Sequence, residues 1–292
     1  MNFPQITIVT PVFNQVQYLE ETIISILSQN YPNLEYIIID GGSTDGTVDI
    51  IKKYETHLAY WVSEPDNGMY DALQKGFDHS TGEIMGWLNA DDLYFNGCFF
   101  LLSKLFVQHE EINWVTGTSH ILNSEGVFIG NSPSKKFCKY QFLNGDYKWI
   151  AQESTFWRRS LWERTGSQLD TNLKYAGDFE LWLRFIQCDP LYHLGLPIGI
   201  FRQRHGQLSS NSMQYEEEVQ TIYQNIQISD KDRMIINSYK KKKNIANLIN
   251  KTRIINGNKI VRLNTFEKKY MSVPHRIAYS ANTDSFIFSD ED

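Results

Sequence analysis

The chain has 292 residues, 41% of them hydrophobic, which suffices for one large α/β domain or for a domain with an extension. The cysteines Cys98, Cys138 and Cys188 match no zinc or redox spacing, so we expect free thiols in a reducing compartment. Neither a signal peptide nor a run approaching about 18 apolar residues is present, which predicts a soluble, cytoplasmic protein without a membrane span.

The net charge of −6 is distributed unevenly along the chain. Residues 231–276 contain 13 Lys and Arg against the two acids Asp232 and Glu267, a net of +11, so the remainder carries −17. A basic segment of this kind favours contact with an anionic surface such as the inner leaflet of a membrane. A solvated helical face explains the same pattern, and both interpretations stay open.

Strands and helices alternate along the first part of the chain. Short apolar runs predict strands at 6–10, 35–40, 59–63 and 83–88. Apolar positions spaced by about 3.6 residues predict a helix after Asn14, which could cap it, and a second helix that Thr47 could cap. A third helix follows the turn DNG, over residues 69–80. This alternation predicts a mainly parallel, Rossmann-like sheet covered by helices on both faces.

The later part is less regular. A helix is expected at 99–106, a hairpin over 114–131, an amphipathic helix at 177–187, and a strand followed by a polar loop over 194–211. A helical tail begins with 216–226. The final segment, NTDSFIFSDED, has a composition compatible with disorder.

Polar loops follow the strands of the predicted sheet. Ligands of parallel sheets bind beyond the carboxyl ends of the strands, where the loops 10–14, 40–45, 66–71 and 89–92 are expected to converge. Adjacent Asp91 and Asp92 could hold a hard divalent cation, or they could be an ordinary solvated turn. The loop GGSTDGT could bind ribose hydroxyls or a base N–H through its carboxylates, or it could be only a tight turn before a helix.

Four motifs in order, TPVFNQ, IIIDGGSTDGT, EPDNGMYDALQKGF and WLNADD, resemble the family 2 glycosyltransferases, which have the GT-A fold. AGDFELWLRF and FRQRHGQLS extend the resemblance to about residue 210. The resemblance implies a GT-A domain over residues 1–212, with a nucleotide-sugar-binding half (1–100) and an acceptor half (101–212). Residues 213–292 would be a helical, basic extension.

The resemblance also implies a role for individual residues. The nucleotide and donor sugar would be bound by Pro11, Phe13, Asn14, Asp40, Ser43, Asp45, Asp66, Gly68 and Asp71, with Phe13 against the base. Asp91 would bind Mn²⁺ or Mg²⁺, with Asp92 beside it and His205 near the cation or diphosphate. Asp178 would be the general base. Gln152, Glu153 and Trp157 could shape the acceptor site.

The sequence departs from the family pattern at three positions. Asn89 stands where an Asp is frequent, which would weaken cation binding because an amide oxygen carries no charge. Gly41 replaces a second acid that would contact the base. Gly177 replaces the Glu that usually precedes the catalytic Asp.

The predicted activity is an inverting, metal-assisted transfer of sugar from a nucleotide-diphosphosugar, with UDP as the default nucleotide, to a glycan or lipid-linked glycan in surface polysaccharide synthesis. A cation would stabilise the leaving diphosphate and a carboxylate would accept the proton of the incoming hydroxyl. No nucleic-acid partner is expected. One alternative is a non-catalytic nucleotide-sugar-binding module. A nucleotidyltransferase is disfavoured because TPVFNQVQY contains no Gly, Lys or Arg to bind a triphosphate.

Overall fold

The computed structural model describes residues 3–132, 137–146, 149–251 and 276–289, with the backbone alone for residues 245–251. In this part of the chain, eleven strands form one sheet. No helix within these ranges is long and apolar enough to cross a bilayer.

The N-terminal half alternates strand and helix as predicted. Its elements are β1 (Ile6–Val12), α1 (Leu19–Leu27), β2 (Leu34–Asp40), α2 (Thr47–Tyr54), β3 (Tyr60–Ser63), α3 (Met69–Asp78) and β4 (Ile84–Trp87). The strands β3, β2, β1 and β4 are parallel neighbours. The predicted start of the first helix was wrong. Asn14 has a φ of 51°, which is left-handed backbone, and α1 begins only after Tyr18.

Successive residues of these strands face two different hydrophobic layers, because side chains alternate along a strand. Ile8 packs into the layer that contains Ile23 of α1, whereas Val9 packs into the layer that contains Leu73 of α3. Helix α3 approaches closely because it carries Gly76, where a Cβ atom would lie 2.4 Å from a methyl group of Val9. Both faces of the parallel strands are therefore covered, and their carboxyl ends stay open for a ligand.

The C-terminal half adds antiparallel pairs to the sheet. Its elements are β5 (Leu93–Tyr94), α4 (Cys98–Gln108), β6 (Trp114–Asn123), β7 (Phe128–Asn131), α5 (Lys139–Leu143), β8 (Thr155–Arg158), α6 (Arg159–Arg164), α7 (Gly177–Cys188), β9 (Tyr192–Gln203), α8 (Ser212–Asn225), α9 (Asp230–Lys251), β10 (Arg276–Ser280) and β11 (Ser285–Ser289). The strand order in the sheet is β11-β10-β9-β6-β8-β4-β1-β2-β3, with β5 paired to β9 and β7 paired to β6. Strand β8 is antiparallel to both of its neighbours, β4 and β6. The sheet is therefore parallel in its first half and mixed in its second, with the predicted hairpin present as β6 and β7.

The extension is helical only in part. Helices α8 and α9 agree with the prediction. The disorder expected for NTDSFIFSDED was wrong for residues 282–289, which belong to the antiparallel hairpin of β10 and β11. Strand β10 pairs with β9 and thereby extends the central sheet, and Ile277 and Phe286 are buried in one of its hydrophobic layers. Residues 252–275 of the predicted basic segment, and the last three residues of the chain, lie outside the described residues. The domain boundary at residue 212 stays a prediction.

Candidate active site

A cavity of about 1080 Å³ opens at the carboxyl ends of β1 and β4, beside the start of α3 and the end of β9. Nine of the predicted site residues lie on its wall: Pro11, Phe13, Asp66, Gly68, Asp91, Asp92, Gln152, Glu153 and Asp178. The candidate cation ligand, the candidate base and the candidate donor residues therefore share one space. Asn14, Asp40, Ser43, Asp45, Asp71, His205 and Trp157 are not part of that wall.

The ring of Phe13 stands at the cavity with 59% of its surface exposed. The loop behind it is held by hydrogen bonds to the loop after β2. The N–H of Asn14 donates to the Ser43 hydroxyl (2.7 Å), the Thr44 N–H donates to the Asn14 side chain (3.0 Å), and the Val16 N–H donates to Asp45 (3.0 Å). In this structure Asn14, Ser43 and Asp45 thus position the loop that carries Phe13.

The carboxylate of Asp40 is fully buried and faces its own loop. It accepts hydrogen bonds from the N–H groups of Gly42 (3.1 Å) and Ser43 (2.9 Å) and from the Ser63 hydroxyl (2.6 Å). The predicted contact of Asp40 with base or ribose has no support in this arrangement, because these donors bind Oδ2 and the Ser43 hydroxyl donates to Oδ1. Asp40 is instead a buried support for the loop.

A different carboxylate lies next to Gly41. A Cβ atom at Gly41 would come within 2.6 Å of an Asp66 oxygen, so the glycine leaves room for Asp66 on the cavity wall. Burial and the neighbouring Asp71 raise the pKa of Asp66, while the Gly68 N–H, which donates to it at 2.8 Å, opposes this rise. Gly68 has a φ of 116°, a backbone that favours glycine, and α3 begins directly after it.

Asp71, in the first turn of α3, accepts a hydrogen bond from the Asn67 N–H (3.0 Å) and lies 3.6 Å from the Lys75 ammonium. It supports the turn from outside the cavity. Asp66, from the loop after β3, thus occupies the space that a side chain at position 41 would fill.

Asp91 and Asp92 have different surroundings. Asp91 lines the cavity, and its Oδ2 accepts a hydrogen bond from Arg204 Nε at 2.6 Å. Asp92 is buried and accepts hydrogen bonds from the Arg202 N–H (2.9 Å) and the Asn89 amide (3.4 Å). Burial, together with the nearby Asp91 and Glu153 carboxylates, raises the pKa of Asp92 well above its ordinary value. Asp91 is therefore the carboxylate of this pair that is suited to bind a cation.

The donor atoms at the end of β4 fit a hard divalent cation. The Asn89 Oδ1 atom is buried without a hydrogen-bond partner, and it is an oxygen ligand of the kind that Mg²⁺ and Mn²⁺ accept. Across the described ranges, no three His, Cys, Asp or Glu side chains are grouped to hold a metal. A magnesium-type site needs only one or two protein carboxylates, because substrate phosphates supply further ligands. His205 is exposed, while its neighbours Arg204, Gly206 and Gln207 line the cavity.

Asp178 lies in the first turn of α7 and faces the cavity. The Phe179 N–H donates to its Oδ1 atom (2.7 Å), and the Tyr70 hydroxyl lies 3.4 Å from the same oxygen. Burial raises the pKa of Asp178 to about 7, against the effect of these two groups. At neutral pH such a carboxyl both accepts and releases a proton, which is what general acid–base chemistry requires.

Gly177 departs from the family pattern for a steric reason. A Cβ atom at this position would lie 2.8 Å from the ring of Tyr70, which packs against the start of α7. Tyr70 is one residue that the sequence analysis missed, although it stands within the quoted motif EPDNGMYDALQKGF.

Residues 149–153, which include the predicted acceptor residues Gln152 and Glu153, form another part of the cavity wall. Gln152 donates a hydrogen bond to the Trp87 carbonyl (2.6 Å), Glu153 is buried, and burial raises its pKa. The structure corrects the prediction for Trp157, which is fully buried and packs edge-on against Trp87 in the core. An exposed aromatic ring on this part of the wall comes instead from Trp149.

Trp149 is 50% exposed and lies on the cavity wall. Its ring stacks on that of Tyr215, with the ring centroids 4.2 Å apart and the planes at 11°. Trp149 stands three residues before the predicted Gln152, which is the signal by which it could have been found. Arg204 and Tyr215 were also missed. Arg204 stands within the quoted motif FRQRHGQLS, directly before His205, whereas Tyr215 lies beyond the motifs.

A family model described as glycosyl transferase family 2 matches residues 7–162, which is more than half of the chain. This chain belongs to glycosyltransferase family 2. The resemblance read from the motifs is thereby confirmed, and the protein is an enzyme that transfers glycosyl groups.

Two bacterial proteins have sequences similar to that of this glycosyltransferase. An uncharacterised glycosyltransferase of Rickettsia typhi is 25% identical over 231 residues, which cover 75% of this chain and 70% of the relative. TuaG of Bacillus subtilis, named for teichuronic acid biosynthesis, is 36% identical over 94 residues, which cover 30% of this chain and 36% of TuaG. The second match is thus confined to about a third of each protein.

Two solved structures share the fold of this glycosyltransferase. Residues 1–349 of S. aureus TarS in complex with UDP-GlcNAc give a TM-score of 0.62 at 16% identity, covering 80% of this chain and 70% of that one. The mannosyltransferase PcManGT from Pyrobaculum calidifontis, in complex with GDP-Man and Mn²⁺, gives 0.55 at 19% identity, covering 92% and 81%. The predicted GT-A fold is confirmed by these likenesses.

Proposed function

We propose that this glycosyltransferase moves a sugar from a nucleotide-diphosphosugar to a hydroxyl group of a glycan or a lipid-linked glycan, with inversion at the anomeric carbon. The observation that carries this proposal is the position of Asp91 and Asp178 on the wall of one cavity. Nucleotide sugars bound to TarS and PcManGT support the donor class, and a UDP-sugar is the first choice.

The chain's residues suggest a division of roles. Phe13 offers an exposed ring on which a base can stack, and base stacking on aromatic rings is worth about 1–3 kcal/mol. Asp66 offers a carboxylate to neutral N–H or O–H groups of the donor. Asp178 takes the proton of the acceptor hydroxyl, since its pKa of about 7 leaves a substantial fraction ionised at neutral pH. A single base on the face opposite the diphosphate leads to inversion.

A divalent cation would be held by Asp91, with the Asn89 amide oxygen as a further neutral ligand and His205 close to the diphosphate. When bound, the cation would stabilise the charge that develops on the leaving diphosphate. The Mn²⁺ in PcManGT supports the choice of Mn²⁺ or Mg²⁺.

The aromatic pair Trp149 and Tyr215 supports a sugar as the acceptor. A pyranose ring presents a face of C–H groups that packs on a flat aromatic surface, and half of Trp149 is exposed for such a contact. The relationship to TuaG favours surface polysaccharide synthesis at the cytoplasmic side of a membrane.

The test of this function is donor binding and hydrolysis. A panel of UDP-, GDP- and dTDP-sugars, with and without Mn²⁺, should contain one donor that raises the melting temperature, because a ligand that binds only the folded state stabilises it. Hydrolysis of that donor should fall at least about a hundredfold in Asp91→Ala. Asp49→Ala, which removes an exposed carboxylate of α2, is the matched control. Donor binding without any hydrolysis or transfer would favour the non-catalytic binding module.

Contact with an anionic membrane is a second part of the proposal. Exposed Lys231, Arg233, Lys240 and Lys241 lie on α9 beside Met234, which is 71% exposed. Each such cation near an anionic leaflet contributes about 1 kcal/mol of attraction. Flotation with phosphatidylglycerol vesicles should show binding that high salt removes and that neutral vesicles do not support. Equal recovery of the protein with anionic and neutral vesicles would show that the basic residues of α9 do not bind an anionic surface and only face solvent.

A further inference from the structure

We propose that Arg204 is an exchangeable counter-ion, which pairs with Asp91 in the donor-free protein and transfers to the donor diphosphate when a divalent cation binds Asp91. This inference rests on the proposed function, and it assigns a role to Arg204, which the sequence analysis did not single out within FRQRHGQLS. It predicts that the same side chain opposes cation binding before the donor arrives and supports donor binding afterwards.

The contact that suggests the exchange is a partly buried ion pair at the cation end of the cavity. Arg204 Nε lies 2.6 Å from Asp91 Oδ2, and the two side chains are only 17% and 13% exposed. Ion pairs shielded from water in this way are screened less than surface pairs. A cation that approaches Asp91 must therefore displace the guanidinium or accept its repulsion.

Arg204 is placed to leave Asp91 without disturbing the fold. Its side chain lies in the cavity wall, and its backbone N–H is held separately by the Gln207 side chain. Among the residues that the structure describes, the guanidinium makes one further hydrogen bond, a long one from Nη1 to the His205 carbonyl at 3.5 Å, and it lies over the Tyr18 ring at 5.4 Å. A change of rotamer can carry it from the carboxylate to a phosphate in the same space.

The neighbouring Arg202 shows the contrast. Its side chain is 4% exposed, its Nε donates to the Asp91 carbonyl at 3.0 Å, and its terminal nitrogen pairs with Glu21 at 2.5 Å. Arg202 is thus committed to contacts that hold the loop after β4 against α1. Two arginines that lie two residues apart at the end of β9 therefore differ in freedom, and of the two Arg204 lines the cavity.

The charges determine the direction of the exchange. The charge of Asp91 is balanced by Arg204 in the donor-free protein, so Asp91 attracts a cation less than an unpaired carboxylate would. A nucleotide diphosphate brings both negative charge for the guanidinium and oxygen ligands for the cation, and arginine binds phosphate with two parallel hydrogen bonds. Cation and diphosphate should consequently bind with positive coupling, and this coupling must be equal whichever of them binds first.

The test measures Mn²⁺ binding by the EPR signal of free Mn²⁺ and UDP binding by calorimetry, both without turnover. In Arg204→Ala, Mn²⁺ should bind the nucleotide-free protein about tenfold more tightly, and UDP at saturating Mn²⁺ should bind about tenfold more weakly. Arg204→Lys should keep the Mn²⁺ affinity near the wild-type value while UDP still binds more weakly. Lysine retains the positive charge but cannot donate two parallel hydrogen bonds to a phosphate. Arg164→Ala, which removes the pair with Asp189 outside the cavity, is the control.

Opposite signs for the two affinities in one variant support the exchange. Loss of UDP affinity with unchanged Mn²⁺ affinity would overturn it and make Arg204 a permanent phosphate ligand. Wild-type values for both would also overturn it. Absence of any nucleotide binding in the wild-type protein would instead refute the proposed function itself.

Discussion

Replacement of Asp178 by Asn should stabilise the protein at alkaline pH while it removes transfer activity. Burial raises the pKa of Asp178 from the ordinary 3.8 to about 7 in the folded protein. A carboxyl whose pKa is raised on folding favours the folded state below the unfolded pKa, and this contribution is lost as the pH rises through the folded pKa. The wild-type protein therefore carries a cost above neutrality that Asp178→Asn does not have.

The size of this cost follows from the shift. Three pKa units correspond to about 4 kcal/mol at most, at roughly 1.36 kcal/mol per unit. About 2–3 kcal/mol of this cost should develop between pH 5 and pH 8. Asp178 is partly exposed to water in the cavity, so we expect a measured difference of about 1–3 kcal/mol. The free energy of unfolding in urea, measured at both pH values for each protein, gives the difference directly.

A difference in stability that does not change with pH would refute this reasoning, because it would mean that the folded protein does not raise the pKa of Asp178. Asp49→Asn, at an exposed carboxylate, should show no comparable pH dependence. The companion measurement is kcat/KM of the wild-type enzyme, which should fall about tenfold from pH 8 to pH 6 as Asp178 is protonated.

Three further changes test other parts of the molecule. Phe13→Ala should weaken UDP binding about tenfold by calorimetry, since it removes the exposed ring; an unchanged affinity would exclude stacking on this residue. Trp149→Ala should raise the KM for the acceptor about tenfold and leave the rate of donor hydrolysis unchanged. A loss of donor hydrolysis as large as the loss of transfer would argue against an acceptor contact. Glu35→Gln should lower the free energy of unfolding at pH 7 by about 1–3 kcal/mol, because buried Glu35 accepts hydrogen bonds from Thr7, Thr81 and Gly82 that outweigh its burial and lower its pKa. That contribution should disappear as the pH falls below about 4, and a stable Gln variant would show that these contacts matter little.

The loops after the strands were predictable because their position depends on local patterns. Apolar runs such as ITIVT and EYIIID specify buried strands, and the direction of parallel strands brings their carboxyl ends together. The loops that contain Pro11, Asp66 and Asp91 could therefore be placed at one edge of the sheet from the sequence pattern. Asp178, which lies in a helix, was assigned to the site only through the resemblance to the family. The same patterns gave no warning that SFIFS, near the chain end, pairs into a hairpin that extends the sheet, since β10 meets β9 across more than seventy residues of sequence.

Local patterns are enough to predict which loops meet, because strand direction and hydrophobic alternation are properties of short segments. The side chain of each loop that enters the cavity becomes known only from the folded chain. Asp40 faces inward to its own backbone while Asp66 occupies the space beside Gly41, and Arg204 reaches Asp91 from 113 positions away in the chain. The physical reason is that side-chain direction and charge pairing depend on neighbours brought together by packing, and no local pattern encodes those neighbours.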